Sequence, residues 1–140
     1  QFFFSGFFDS EGWGTWSRGA LPAVMTLHFP PGPGKLYLAA MGTGSDYAPA
    51  RFDFELNGHN IKKASLQHNA FTAWKKELIE IPLKEKRLTG GVERLTIKSH
   101  DGRQAAPTGR YYGLAIREML YIPTAQADTA TSIIEEMMRM

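Results

Sequence analysis

Arg51-Phe-Asp-Phe-Glu-Leu56-Asn57-Gly58 is the stretch whose reading decides the fold. Phe52, Phe54 and Leu56 alternate with Arg51, Asp53 and Glu55, and a period of two places the apolar set on one face of a half-buried strand. Asn57-Gly58 follows at once. Both residues tolerate the positive φ of a type I′ turn, so the strand returns as a hairpin with His59 to Ala64 as its partner. A hairpin with one apolar face must bury it against a second layer.

The same alternation recurs on both sides. Ala23, Met25, Leu27 and Phe29 share one face of residues 23–29, with Val24, Thr26 and His28 on the other. Pro30-Pro-Gly-Pro-Gly34 makes a turn, and Lys35 to Met41 follows as a strand with Leu36, Leu38 and Ala40 inward. Phe2 to Phe8 predicts a first strand bent at Gly6. Trp74 to Pro82 predicts another, with a bulge at Leu78-Ile79 where the alternation breaks. Glu93 to Ser99 has Leu95 and Ile97 inward, and Arg110 to Ile122 is a long final strand. Ser65 to Ala73 and His100 to Gly109 read as irregular polar connections. About eight or nine short strands with Gly/Pro/Asn turns define an all-β chain, an antiparallel sandwich of jelly-roll or Greek-key type.

Residues 1–123 form this domain. Residues 124–140 change character: a small, polar linker precedes Ser132-Ile-Ile-Glu135, which has capping-box spacing. Ile133, Ile134, Met137 and Met138 fall on one face of a short amphipathic helix. So short a helix is marginal alone and must dock on this domain or on a partner, a second copy of the chain included.

Composition excludes several functions. The chain has 140 residues, a formal net charge of +2 and no cysteine. Near-balanced charge gives no footprint for nucleic acid, and the missing thiols exclude disulfides and cysteine zinc sites. No apolar run approaches the roughly 20 residues of a membrane helix. Gln1-Phe2-Phe3-Phe4 carries no basic n-region, and the chain reads as a domain cut from something longer.

Catalytic patterns are not apparent. His28, His59, His68 and His100 are scattered without metal-ligand spacing. No serine lies in a nucleophile elbow, and Gly42–Ser45 lacks the lysine and helix of a phosphate loop. Glu11 with Asp46 or Asp101 would make a carboxylate pair only if the fold brought them together. No metal or cofactor is expected. Lys62-Lys63 and Lys75-Lys76 read as solvated strand faces.

Binding patterns are richer. Trp and Tyr faces stack on sugar rings while Glu, Asp and Arg bond adjacent hydroxyls. Glu11, Trp13, Trp16 and Arg18 lie in one glycine-rich segment, Asp46 in a second loop, and Arg110 and Tyr111 in a third region. Clustered at one end of a sandwich they would make a saccharide site. The competing reading makes Trp13 and Trp16 plugs of the core, with Glu11 and an arginine pinning the loop.

Gly6-Phe-Phe-x-x-Glu11-x-Trp13-Gly14-x-Trp16-Ser17 is similar to the pattern that opens certain bacterial β-sandwich domains. These are appended to cell-envelope glycosyltransferases and membrane-bound phosphoglycerol transferases. Arg51-Phe-x-Phe before the tight turn, Leu95-Thr-Ile97, and Gly113-Leu-Ala-Ile116 near the end extend the likeness over residues 6–122. Thr15 stands where that pattern usually has arginine. The resemblance implies a non-catalytic, carbohydrate-binding-like accessory module of an envelope polysaccharide transferase. It would hold an oligo- or polysaccharide near a separate catalytic domain of the parent chain. It would thus be membrane-associated through the parent, on a side of the membrane left open. The alternative is a structural or oligomerisation domain of the same kind of protein, and an enzyme acting on glycan substituents is a third.

Overall fold

The computed structural model describes residues 3–5, 7, 14–18, 22–43, 49–68, 70, 75–100, 103–105 and 110–139. Among the described residues ten strands appear in order: β1 Phe3–Ser5, β2 Thr15–Arg18, β3 Ala23–His28, β4 Gly34–Met41, β5 Ala50–Leu56, β6 His59–Leu66, β7 Glu77–Leu83, β8 Val92–Ser99, β9 Arg103–Ala105 and β10 Arg110–Pro123. A 3-10 turn, Glu85–Arg87, separates β7 from β8. A 3-10 segment, Thr124–Thr129, leads into the helix α1, Ala130–Met138.

The strands form two antiparallel sheets. One has the order β1-β3-β8-β5-β6, and the other β2-β10-β4-β7 with β9 beside the start of β10. Between them lie the alternating residues read from four of the strands, joined by residues of β7 and β10 that the sequence reading did not assign to a face. Ala23, Met25, Leu27, Phe52, Phe54, Leu56, Leu95 and Ile97 come from the first sheet, and Leu36, Leu38, Ala40, Ile79, Ile81, Leu83, Leu114 and Ile116 from the second. Removing a side chain such as Phe54 or Leu56 from water contributes about 2–3 kcal/mol, and this layer is the main source of stability. Asn57 (φ 52°) and Gly58 (φ 87°) make the left-handed turn between β5 and β6, as their identities demand.

Several sequence expectations are corrected. The pairing of β7 with β4 runs without a break from Glu77 to Leu83. There is no bulge at Leu78-Ile79; Leu78 is an apolar residue on the outer face, 41% exposed. Irregular register occurs instead in β5–β6 at Phe54/Glu55 and twice in β10. A short strand, β9, interrupts the polar connection before Arg110. The expected bend of the first strand at Gly6 lies outside the described residues. Ser5 pairs with Val24 in one sheet, whereas Phe7 bridges Ser17 in the other, so the chain changes layers between them.

The tail docks on its own domain. Ala130 and Met137 are buried with Tyr37, Ala39 and Ile122 on the outer face of the second sheet, and Ile134 and Met138 pack beside them. Ile133 is left 44% exposed, so the buried stripe is set by Ala130, not by Ile133. Ser132 lies within the helix and bonds the Thr129 carbonyl at 3.4 Å, so it does not serve as the cap. The expected linker is itself helical at Thr124–Thr129. Lys76 is not a solvated face. It is 6% exposed, and its ammonium donates to the carbonyls of Met137 and Arg139, each at 2.8 Å. These are carbonyls that the helix end leaves unsatisfied, and a cation there also meets the negative end of the helix dipole.

Candidate functional site

Three connections whose residues were singled out for binding leave the sandwich at the same end. β2 ends at Arg18 beside Tyr112 of β10. β4 ends at Met41, opposite Ala115, and runs through Gly42 and Thr43 toward Asp46. β10 begins at Arg110, paired with Ala105, and Tyr111 pairs with Gln104. The backbones of Arg18, Arg110 and Tyr111 are thus brought to one end by antiparallel register alone. Asp46, Glu11 and Trp13 lie outside the described residues, as do the side chains of Arg110 and Tyr111.

The start of β2 lies elsewhere. Gly14 lies over Ile116 and Arg117, whereas Arg18 pairs with Tyr112, so β2 is entered from the side away from the Arg110 end. A Cβ at Gly14 would collide with the Ile116 carbonyl oxygen and lie 2.9 Å from the Arg117 Cα. Its φ of 152° is also disfavoured for other residues. The glycine between the two tryptophans is therefore required by a close approach of backbones.

Trp16 is 6% exposed. It packs with Met41, Ala70, Tyr112 and Ala115, its ring 5.0 Å from that of Tyr112 and tilted by 57°. The plug reading thus describes Trp16, which presents no open face for stacking. Met41 is on the strand face opposite Leu38 and Ala40, so this cluster covers the outer face of the second sheet. Ala70 closes it, its N–H donating to the Gly42 carbonyl at 2.8 Å. Ser17, pointing the other way, is 1% exposed, and its hydroxyl accepts the Leu114 N–H at 2.8 Å. Arg18 is exposed and its Nε donates to the Phe7 carbonyl at 3.4 Å.

The Trp16 cluster covers one end of that outer sheet face and α1 the other. At the loop end Arg18 is exposed. The histidines do not assemble a catalytic group. His100 pairs with Asp53 at 2.8 Å on the surface, His59 contacts Arg87, and His68 donates its backbone N–H to Glu77. Among the described residues no three metal-ligating side chains gather.

The opposite end holds a buried carboxylate that periodicity could have flagged, since Glu93 is in phase with Leu95 and Ile97. It is 1% exposed and accepts from the Thr89 N–H at 2.7 Å, the Thr89 hydroxyl at 3.0 Å and the Asn57 amide at 3.0 Å. Burial pushes its pKa up, but bonds from Thr89, Asn57 and the Gly90 backbone together outweigh this and hold it below the usual carboxylate range. Its setting is structural: it ties the β5–β6 turn to the start of β8.

The architecture is an antiparallel β-sandwich of two sheets with one short C-terminal helix. No family model and no curated protein matches the chain. Among solved structures, it is similar to a family 35 carbohydrate binding module from an environmental isolate, with 17% identity, 86% of this chain and 74% of that one covered, and a TM-score of 0.50. It is also similar to a family 35 carbohydrate binding module from Clostridium thermocellum, with 10% identity, 88% and 92% covered, and a TM-score of 0.52. At such identities the likeness is one of fold.

Proposed function

We propose that the chain is a non-catalytic carbohydrate-binding module that takes an oligo- or polysaccharide at the loop end of the sandwich. The observation that carries this reading is the convergence of Arg18, the strand leading to Asp46, and Arg110-Tyr111 at one end of a fold shared with carbohydrate binding modules. In this scheme Tyr111 stacks on a sugar ring and Arg18, Asp46 and Arg110 bond hydroxyls, whereas Glu11 and Trp13 precede Gly14, at the entry to β2 away from this end, and have no part in the site. Trp16 supports the end from beneath. The parent protein is a bacterial envelope glycosyltransferase or phosphoglycerol transferase, to which the module is joined at the membrane. Tethering raises the effective concentration of glycan near the catalytic domain, so each contact can be weak. Titration of the domain with neutral and charged envelope oligosaccharides, followed by NMR, tests the reading. Saturable shifts at Arg18, Arg110 and Tyr111 support it; no shift at millimolar saccharide refutes it.

A second reading, an assembly domain, is favoured by one feature. Ile133 stands exposed on a groove between α1 and β10, lined also by Glu118, Met119, Leu120 and Glu136. Deleting residues 124–140 would strip the cover from Tyr37 and Ala39, so Ile133→Glu is the cleaner variant. A fall in mass by light scattering with an unaltered glycan response would favour assembly.

A further inference from the structure

A cleft between β6 and β7, the outermost strands of their sheets, gathers three cationic side chains. It encloses about 170 Å³ and is lined by Asn60, Ile61, Pro82, Lys84, Lys86 and Arg87. The 3-10 turn Glu85–Arg87 builds it. Lys84, in extended conformation, caps the turn, and Arg87 is its last residue. The Arg87 N–H donates to the Lys84 carbonyl at 2.9 Å.

The turn is held from behind. The Asn57 amide donates to the Arg87 carbonyl at 3.0 Å, and Arg87 Nη1 lies 3.2 Å from His59 Nδ1, leaving its other donors for a ligand. Neighbouring acids are engaged elsewhere. Glu85 lines the cavity on the far side of the turn with Pro30 and Thr89. Glu55 pairs with Lys98 at 2.8 Å, and Glu80 with Lys35. Among the described residues no ion pair reaches Lys84, Lys86 or Arg87.

Like charges set in one concave place repel, and the apolar walls Ile61 and Pro82 concentrate their field. An anion relieves that repulsion. Two ammoniums, a guanidinium fork and an amide offer more donors than the two oxygens of a carboxylate can accept, and they suit a tetrahedral oxyanion. We propose that this cleft binds a phosphate or sulfate substituent on a glycan, at a site separate from the loop end. The glycan part of this assignment rests on the function proposed above; the oxyanion part stands on the cleft alone.

Titrations of the isotope-labelled domain with sodium sulfate and sodium phosphate, against sodium chloride at matched ionic strength, test the oxyanion site. Saturable shifts at Asn60 and Arg87 are expected, and the exposed pair Lys84→Gln/Lys86→Gln should weaken binding roughly tenfold with the rest of the spectrum unchanged. A response no larger than that to chloride, or equal affinity in the double variant, would overturn it. A sulfated oligosaccharide should shift the same residues and its desulfated counterpart should not. Exclusion of the sulfated oligosaccharide while free sulfate binds would overturn the glycan-borne assignment. Tyr111→Ala separates the two sites: it should abolish the response to neutral saccharide and leave sulfate binding at Asn60 and Arg87 intact.

Discussion

Asn57 and Glu93, 36 residues apart in the chain, are joined by a 3.0 Å hydrogen bond from the asparagine amide to the buried carboxylate. The same amide reaches the Arg87 carbonyl, and the Asn57 Oδ1 accepts the Arg94 N–H at 2.9 Å. One side chain thus fastens a hairpin turn to two other segments. Its backbone conformation alone could be met by glycine; its hydrogen bonds could not. Asn57→Gly should keep the turn and cost about 1–2 kcal/mol in urea unfolding, because the Glu93 carboxylate and the Arg94 N–H each lose a partner.

Removal of the carboxylate should cost more. Glu93→Ala leaves the Thr89 N–H and the Asn57 amide without their acceptor in a dry site, and about 2–4 kcal/mol of destabilisation is expected. Glu93 also confers a pH dependence of known sign. Its folded pKa is depressed, so its contribution is complete above the unfolded carboxylate pKa and is lost as pH falls through the lower folded value. Urea midpoints measured from neutral pH into the acid range should show a shallower acid limb in Glu93→Gln than in the wild type.

Gly14→Ala should destabilise by about 2–4 kcal/mol, since the new methyl group meets backbone that cannot rotate away. Thermal unfolding measures the loss. A Tm within a degree or so of the wild type, where such a cost would lower it by several degrees, would contradict the close approach of Gly14 to Ile116.

Lys76→Met should release the tail. The helix loses two charge-assisted bonds at its C-terminal carbonyls, worth about 1.5–3 kcal/mol each when buried. Amide exchange should accelerate across Ala130–Met138 while the inner strands β4 and β8 retain their protection.

Tyr121→Phe should be neutral or stabilising by up to about 1 kcal/mol. The Tyr121 hydroxyl is buried without a hydrogen-bond partner, and burial pushes its pKa up. Its ring packs on Phe29 at 4.8 Å and over Gly34, where a side chain would collide with it, so the apolar contacts survive the substitution. Differential scanning calorimetry of the two proteins decides the sign.

Much of the inner layer was legible because its residues follow a local rule, although Leu78, apolar and outward, hid the phase of Ile79 and Ile81. Phe52, Phe54 and Leu56, like Ala23, Met25 and Leu27, needed only alternation to be placed. The outer layer was not, because alternation assigns a face without saying what covers it. Trp16 faces away from the central core and is nonetheless buried, since Ala70, distant in sequence, folds over it. Lys76 was misplaced for the same reason: its partners are more than 60 residues away. In the candidate site, register brings Arg18 and Arg110-Tyr111 together from strands that are far apart in the chain. That is topology, and no residue spacing encodes it.

The placement of β10 has a consequence for how the protein is made. This strand lies at the centre of its sheet, between β2 and β4, yet it is the last of the ten to be synthesised. Until Arg110 to Pro123 has left the ribosome, β2 and β4 have no common neighbour, and Leu36, Leu38 and Ile79 belong to an unclosed layer. The first sheet is complete once Ser99 has been added. Nascent chains should therefore pass through a half-sandwich with one finished sheet and one gap, and this is the species most open to misassembly. A chain arrested before Arg110 should be a better chaperone client than either a shorter fragment or the finished domain.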